Sequence, residues 1–402
     1  MIQLKYKLTD TFFKSLFSLI IVYLFPIETS GVFGFFLVIV GIGSVLIGFE
    51  RYISFQIQTV DMNQRNIQQK LSNLFLFYSF NLFIVAPIFS IIVYLKVVQS
   101  PLMLLLCILI LFAEMLSTNI YNIGVVHKKY IIGMRVVIIK NLLLVLFSLQ
   151  IYSLNLNESL VYIFSFWSLL SMCQILIFIY FFFKFQKLYK IDIFSTSFLE
   201  IFNQYKISKF HFLIGIVAIV WIQADRLLVG FWFDAKMMGV YYRHVAITSL
   251  LHQIFFITSF NRLVPKIYSL AKNNGYNILN KIIIKEYKII LITLLFIVSF
   301  ILISYYTILK EYFLYFLLQI DIILTLIFIL SIRIYADFQT MIINAYKLEK
   351  NIFIYQIICL SIFLLLMIFL VPVFKINGVI SSLFISTIIY TIIISKFNKS
   401  KL

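Results

Sequence analysis

The chain has 402 residues, 63% of them hydrophobic and 12% charged, with 33 Lys and Arg against 15 Asp and Glu and a formal net charge of +18. A mean hydropathy of +1.06 lies far from a soluble domain, which is about half apolar and a quarter charged. These values exclude a soluble globule and predict an all-α polytopic membrane protein. The three cysteines, Cys107, Cys173 and Cys359, fall within apolar runs; they suggest neither a disulfide framework nor a metal cluster and read as small buried hydrophobes.

In chain order, apolar runs long enough to cross a bilayer, roughly 20 residues each, fall near 10–25, 31–50, 71–95, 102–123, 131–152 and 160–183, and again near 210–233, 239–264, 289–306, 317–345, 352–373 and 378–395. That makes about twelve spans. None alternates apolar and polar residues as a membrane β-barrel strand does. Lys5 and Lys7 precede the first span, which is expected to be retained because no small-residue cleavage site follows it. Pro87 removes a helical hydrogen bond in the third span, as a hinge or a kink. The tenth run carries Asp321 and Arg333 within apolar sequence. Residues 184–209 mix lysines with Phe, Ile and Leu, the pattern of an amphipathic interfacial helix or of a basic loop beside anionic lipid. We read them as a cytoplasmic linker between a six-helix lobe at 1–183 and a second at 210–402.

The basic excess is a topology signal. Alternate connections hold Lys5 and Lys7, Lys128 and Lys129, the lysines from 184 to 209 and from 266 to 288, and the tail lysines 396, 399 and 401; the opposite connections hold only Lys96, Lys236, Lys310 and Lys375. Lys and Arg accumulate on the cytoplasmic side, so both termini are expected in the cytoplasm, and nucleic acid is not an expected partner. An echo supports two like-oriented halves. Phe25, Gly31, Val32 and Phe33 in "FPIETSGVF" align with Phe233, Gly239, Val240 and Tyr241 in "FDAKMMGVY", 208 residues on, each in the short turn after a half's first span. With six spans between the copies the repeats are parallel, an arrangement suited to transport between the halves.

Charges within the spans are the candidate functional groups, because an ionised side chain near a bilayer centre costs roughly 2.5–3.5 kcal/mol. Lys14, Arg135 and Arg262 lie near cytoplasmic ends, where snorkelling is the plain reading. Asp225 and Arg226 are adjacent, so their side chains diverge by about 100° and are expected to meet other helices. They either line a cavity that binds an anionic headgroup or form buried interhelical pairs. Arg333 and Asp337 have the i, i+4 spacing of a structural ion pair. Glu114 and Lys140 could pair across helices or couple an ion, and His252 and Asp337 join them as ion-coupling candidates. Arg243 and His244 stand on the eighth span, and an intramembrane histidine is more often a hydrogen-bonded core residue than a relay.

The chain lacks a Gly-rich phosphate loop, a serine elbow and a zinc-type His cluster, and its external connections are a few residues long. An enzyme is therefore not the expected class. The stretch "ADRLLVGFWFDAKMMGVYYRHVAITSLLHQIFFITSFNRLVPKIYSLAKNNG" resembles O-antigen and polysaccharide flippases of the multidrug, oligosaccharidyl-lipid and polysaccharide exporter (MOP) superfamily. The likeness rests on Asp225, on Gly239 with Tyr241, and on Pro265, with "FPIETSGVFGF" and "FKINGV" as supporting turns. It implies a two-lobed, twelve-helix transporter of the bacterial inner membrane. That transporter moves an undecaprenyl-pyrophosphate-linked oligosaccharide, an O-antigen or capsule repeat unit, to the outer leaflet by alternating access. Arg226 and Arg243, with Lys14 and Arg51, are then implied to meet the pyrophosphate and sugars, and Tyr241, Tyr242 and Trp221 to stack on sugar rings. No cofactor or metal is implied. A coupling H+ or Na+, membrane lipid, a polysaccharide polymerase and a chain-length protein are the implied partners. Small-molecule or drug antiport within the same superfamily, and a polysaccharide polymerase, are the alternatives.

Overall fold

The computed structural model describes residues 2–49, 55, 64–98, 100–126, 131–154, 159–189, 198–271, 276–306, 311, 318–346 and 348–401. Arg51 and the middle of the expected linker, residues 190–197, lie outside them. The described residues are helical: α1 (Ile2–Leu24), α2 (Ile27–Gly48), α3 (Gln64–Lys96), α4 (Pro101–Val126), α5 (Ile131–Ser153), α6 (Ser159–Tyr189), α7 (Phe198–Trp232), α8 (Ala235–Phe255), α9 (Asn261–Ala271), α10 (Tyr276–Ser304), α11 (Ile320–Ala345), α12 (Glu349–Phe374) and α13 (Ile376–Lys401). A π-helical turn, Phe256–Phe260, joins α8 to α9 without a break, so the described chain forms twelve rods, the number read from hydropathy.

Nine of the rods, all but α1, α8–α9 and α11, are long and apolar enough to cross a membrane. The other three carry Lys5, Lys7, Asp10 and Lys14 on α1, Lys236 and Arg243 on α8, and Asp321, Arg333 and Asp337 on α11, while Glu114, Lys140, Asp225 and Arg226 lie on α4, α5 and α7 among the nine. Those charges need protein or water beside them rather than hydrocarbon.

The chain divides into two compact units, Met1–Phe25 with Val32–Val220, and Pro26–Gly31 with Trp221–Leu402. In the first, α4 packs against α1, α3, α5 and α6, because its apolar residues surround the helix almost evenly. Trp167 of α6 is walled by Phe17, Phe33 and Phe36, the first at 5.3 Å and edge-on, the arrangement aromatic quadrupoles prefer. Phe49 closes α2 with φ of 52°, a left-handed conformation that costs a bulky residue about 1–2 kcal/mol. Its ring stacks on Phe212 at 3.5 Å, burial that offsets the cost.

In the second unit, α11 is central, touching α8, α9, α10, α12 and α13. Ile323, Ile327, Leu330, Ile334, Phe338 and Met341 recur every three or four residues, and this stripe packs on Leu279, Ile283, Ile290 and Leu294 of α10. Gln339 is fully buried yet satisfied: it donates to Asn280, while Asn398 of α13 donates to its side-chain and backbone oxygens. Asp234 caps α8 by accepting from the Met237 amide at 2.8 Å.

The echo has a packing cause. A Cβ on Gly31 would land on the carbonyl oxygen of Ala235, and a Cβ on Gly239 on that of Ile27. Positions 27 and 235, like 31 and 239, are 208 residues apart, so the two copies of the turn meet each other reciprocally. Glycine is needed in both because backbone touches backbone there.

Candidate functional site

Two groups of charges stand out, one in each unit. In the second unit a cavity of about 150 Å³ opens between α7, α8 and α11, with Leu383 of α13 at its edge. Helical spacing builds its walls. Val245, Thr248, Ser249, His252 and Gln253 form one stripe of α8; Leu326, Ile329, Leu330 and Arg333 form one stripe of α11; Ile222, Gln223, Asp225 and Arg226 complete it from α7. Arg226 donates from Nη1 to Gln223 Oε1 at 3.0 Å and from Nη2 to Ser249 Oγ at 2.8 Å. Its Nε is buried without a hydrogen-bond partner. Asp225 turns away, accepting the Tyr241 hydroxyl on Oδ2 at 2.5 Å, with Oδ1 buried and unpartnered. The divergence expected of adjacent residues is observed.

The i, i+4 spacing of Arg333 and Asp337 does not give an ion pair. Arg333 lies over the Trp221 ring at 6.0 Å, a cation–π contact, and Asp337 meets His252 Nε2 at 3.3 Å. Spacing permitted the pair, but tertiary partners on α7 and α8 won each residue. Among the described residues neither Arg226 nor Arg333 belongs to any of the four ion pairs. The cavity wall therefore holds two guanidinium groups whose own hydrogen-bond and π partners are neutral, with the Asp225 carboxylate in the same wall.

The first unit is arranged oppositely. Glu114 of α4 receives Lys140 of α5 on Oε1 and Lys14 of α1 on Oε2, each at 2.6 Å, and the Trp167 indole also donates to Oε1 at 3.3 Å. Asp10, one turn before Lys14, accepts from Asn141 Nδ2 at 2.6 Å. Glu114 and Lys140 side chains are 5% and 2% exposed, whereas Lys14 is 45% exposed. Glu114 and Lys140 do pair across helices.

Other singled-out residues take structural places. Tyr241 and Tyr242 are buried, so their rings pack within the unit rather than being offered to a sugar, and Trp221 packs edge-on against Tyr390 at 4.3 Å. Arg243 is buried on α8 and is not among the cavity-lining residues. His244 accepts the Gln319 amide on Nε2 at 2.8 Å and bonds the Val240 carbonyl through Nδ1, which fixes the Nδ1-protonated tautomer and caps α11. Arg262, read as snorkelling, pairs with Glu286 of α10. Cys107 and Cys359 are buried as expected, but Cys173 lies exposed on α6. The roles of Glu286 and Trp167 had no sequence signal beyond an acid and an indole inside apolar runs.

No family model matches the chain, and no curated protein matches it. Solved structures do. The chain is similar to the inward-facing conformation of a multidrug resistance MATE family transporter of the MOP superfamily, with TM-score 0.64 and 13% identity over 98% of this chain and 96% of that one. The outward-facing conformation of such a transporter matches with TM-score 0.52 and 16% identity over 99% and 93%. A MATE structure in a straight conformation matches with TM-score 0.51 and 15% identity over 99% and 93%. The likeness is one of fold: the chain shares the all-helical, two-lobed architecture of these structures.

Proposed function

We propose that the protein is an alternating-access flippase for a polyprenyl-pyrophosphate-linked oligosaccharide, with Arg226 and Arg333 holding the anionic group. One observation carries this reading: a cavity inside an apolar unit is lined by two arginines supported only by Gln223, Ser249 and Trp221. Half-buried cations with only neutral hydrogen-bond and π partners are costly within an apolar unit, and an incoming diphosphate offsets that cost with bidentate, charge-assisted bonds. Thr248, Ser249, Gln223 and Gln253 beside them supply the donors and acceptors a glycan needs. Short external connections leave the chemistry to other proteins. A cytoplasm-facing basic excess orients the uptake side, and the inner membrane is the compartment where this substrate class is made.

A second reading, drug-cation antiport, draws on the unpartnered Oδ1 of Asp225 at the same cavity and on the fold shared with a multidrug resistance MATE family transporter. The two readings separate in one experiment. Proteoliposomes are loaded with a fluorescent polyprenyl-pyrophosphoryl sugar, and outer-leaflet exposure is followed for the wild type, R226A and D225N. The flippase reading expects at least a tenfold loss in R226A. Efflux of a cationic dye that fails in D225N, with lipid exposure unchanged in R226A, overturns it.

A further inference from the structure

We infer that Tyr241 is a positioning residue that keeps the second unit's cavity open to an anion, by holding the Asp225 carboxylate off the guanidinium groups of Arg226 and Arg333. The inference rests on the reading of that cavity as an anion seat. Asp225 is the one carboxylate among the described residues lining it, and it stands next to Arg226 in the chain. Left free, it is the natural counter-ion for a guanidinium, and such an internal pair would fill the seat. The pair does not form, although both groups have bonding capacity unused. Asp225 Oδ1 and Arg226 Nε are each buried without a hydrogen-bond partner. What Asp225 does have is the Tyr241 hydroxyl, which donates to Oδ2 at 2.5 Å, the length of a charge-assisted O–H···O bond. Tyr241 is fully buried, so packing fixes its ring and the hydroxyl fixes the carboxylate.

The 208-residue repeat supplies an internal comparison. Positions 17 and 33 of the first unit correspond to 225 and 241, and there Phe17 and Phe33 meet edge-on with ring centroids 5.6 Å apart. Two phenylalanines make the helix contact unaided, as aromatic pairs do, so the contact itself needs no hydroxyl. In the second unit the same two places carry a carboxylate and a phenol, beside the arginines of the cavity. The hydroxyl therefore answers to the acid rather than to the packing. Tyr242, one residue on, is also buried, but its hydroxyl has no hydrogen-bond partner and takes no part in holding Asp225.

The test uses the full chain in detergent micelles, with inorganic pyrophosphate as the probe and titration calorimetry as the readout. Y241F keeps the ring and removes the hydroxyl. Binding is expected to weaken about tenfold, the size of one charge-assisted contact taken by an internal competitor. Y241F/D225N removes the competitor as well and is expected to restore wild-type affinity, a rescue that a merely structural Tyr241 does not give. Y242F is expected to bind as the wild type does, and an equal loss there overturns the inference. Thermal unfolding of each variant reports folding separately. If Y241F does not fold, D225N decides: wild-type or tighter binding supports the positioning role, and weaker binding overturns it. Unchanged affinity in Y241F, or a loss that persists in Y241F/D225N, also overturns it. Loss of binding in R226A with Y241F at wild-type affinity overturns the positioning role and leaves the flippase reading standing. Absence of pyrophosphate binding in the wild type overturns both.

Discussion

The two units handle internal charge in opposite ways. In the first, Glu114 draws Lys14, Lys140 and Trp167 into one cluster, so each buried charge has a fixed counter-charge. In the second, Arg226 and Arg333 rest on an amide, a hydroxyl and an indole, with no carboxylate among their hydrogen-bonding partners. A paired cluster is complete without a ligand. An unpaired pair of guanidinium groups is complete only with an anion, which is why we place the cargo's charge there.

This contrast can be broken by substitution, and the largest effect is expected in the first unit. E114A strands Lys140 without solvent access; destabilisation of about 3–5 kcal/mol is expected for a broken buried pair, read as a lower melting temperature in micelles. Q223E does the reverse in the second unit, giving Arg226 the carboxylate it lacks. About 1 kcal/mol of added stability is expected from an ion pair replacing a guanidinium–amide bond, together with loss of lipid exposure in vesicles. A Q223E protein that still flips lipid at full rate would contradict the claim that Arg226 must stay unpaired. R226A should cost about 1–3 kcal/mol of stability, less than E114A, while losing transport, since it removes two charge-assisted hydrogen bonds from a half-buried guanidinium. H252A is expected to do least to stability, because the His252–Asp337 pair is about a third exposed and such pairs contribute about 0–1 kcal/mol.

Much of the fold was legible because the bilayer imposes it. A run of about twenty apolar residues has few alternatives to a helix, and the twelve rods follow the hydropathy closely. The 208-residue echo was legible too, and its cause is the reciprocal approach of Gly31 and Gly239 to opposite backbones. What stayed hidden was choice of partner. Sequence spacing offered Arg333 to Asp337, but Trp221 and His252 lie more than eighty residues away in the chain and took them instead. The resemblance implied that Tyr241 stacks on a sugar ring, and nothing in one sequence shows that its hydroxyl reaches the Asp225 carboxylate one element back. The π-turn at Phe256–Phe260 carries no residue that announces it.

The central claim is that the second unit's cavity is a seat for an anion. The direct measurement is a crystal structure of the protein soaked with tungstate, an electron-dense mimic of a phosphate group, read by anomalous scattering. The account predicts a peak within hydrogen-bonding reach of Arg226 Nε and the Arg333 guanidinium, lost in R226A. An empty cavity under saturating tungstate, or a peak for a rubidium cation against Asp225 Oδ1 in its place, would contradict it.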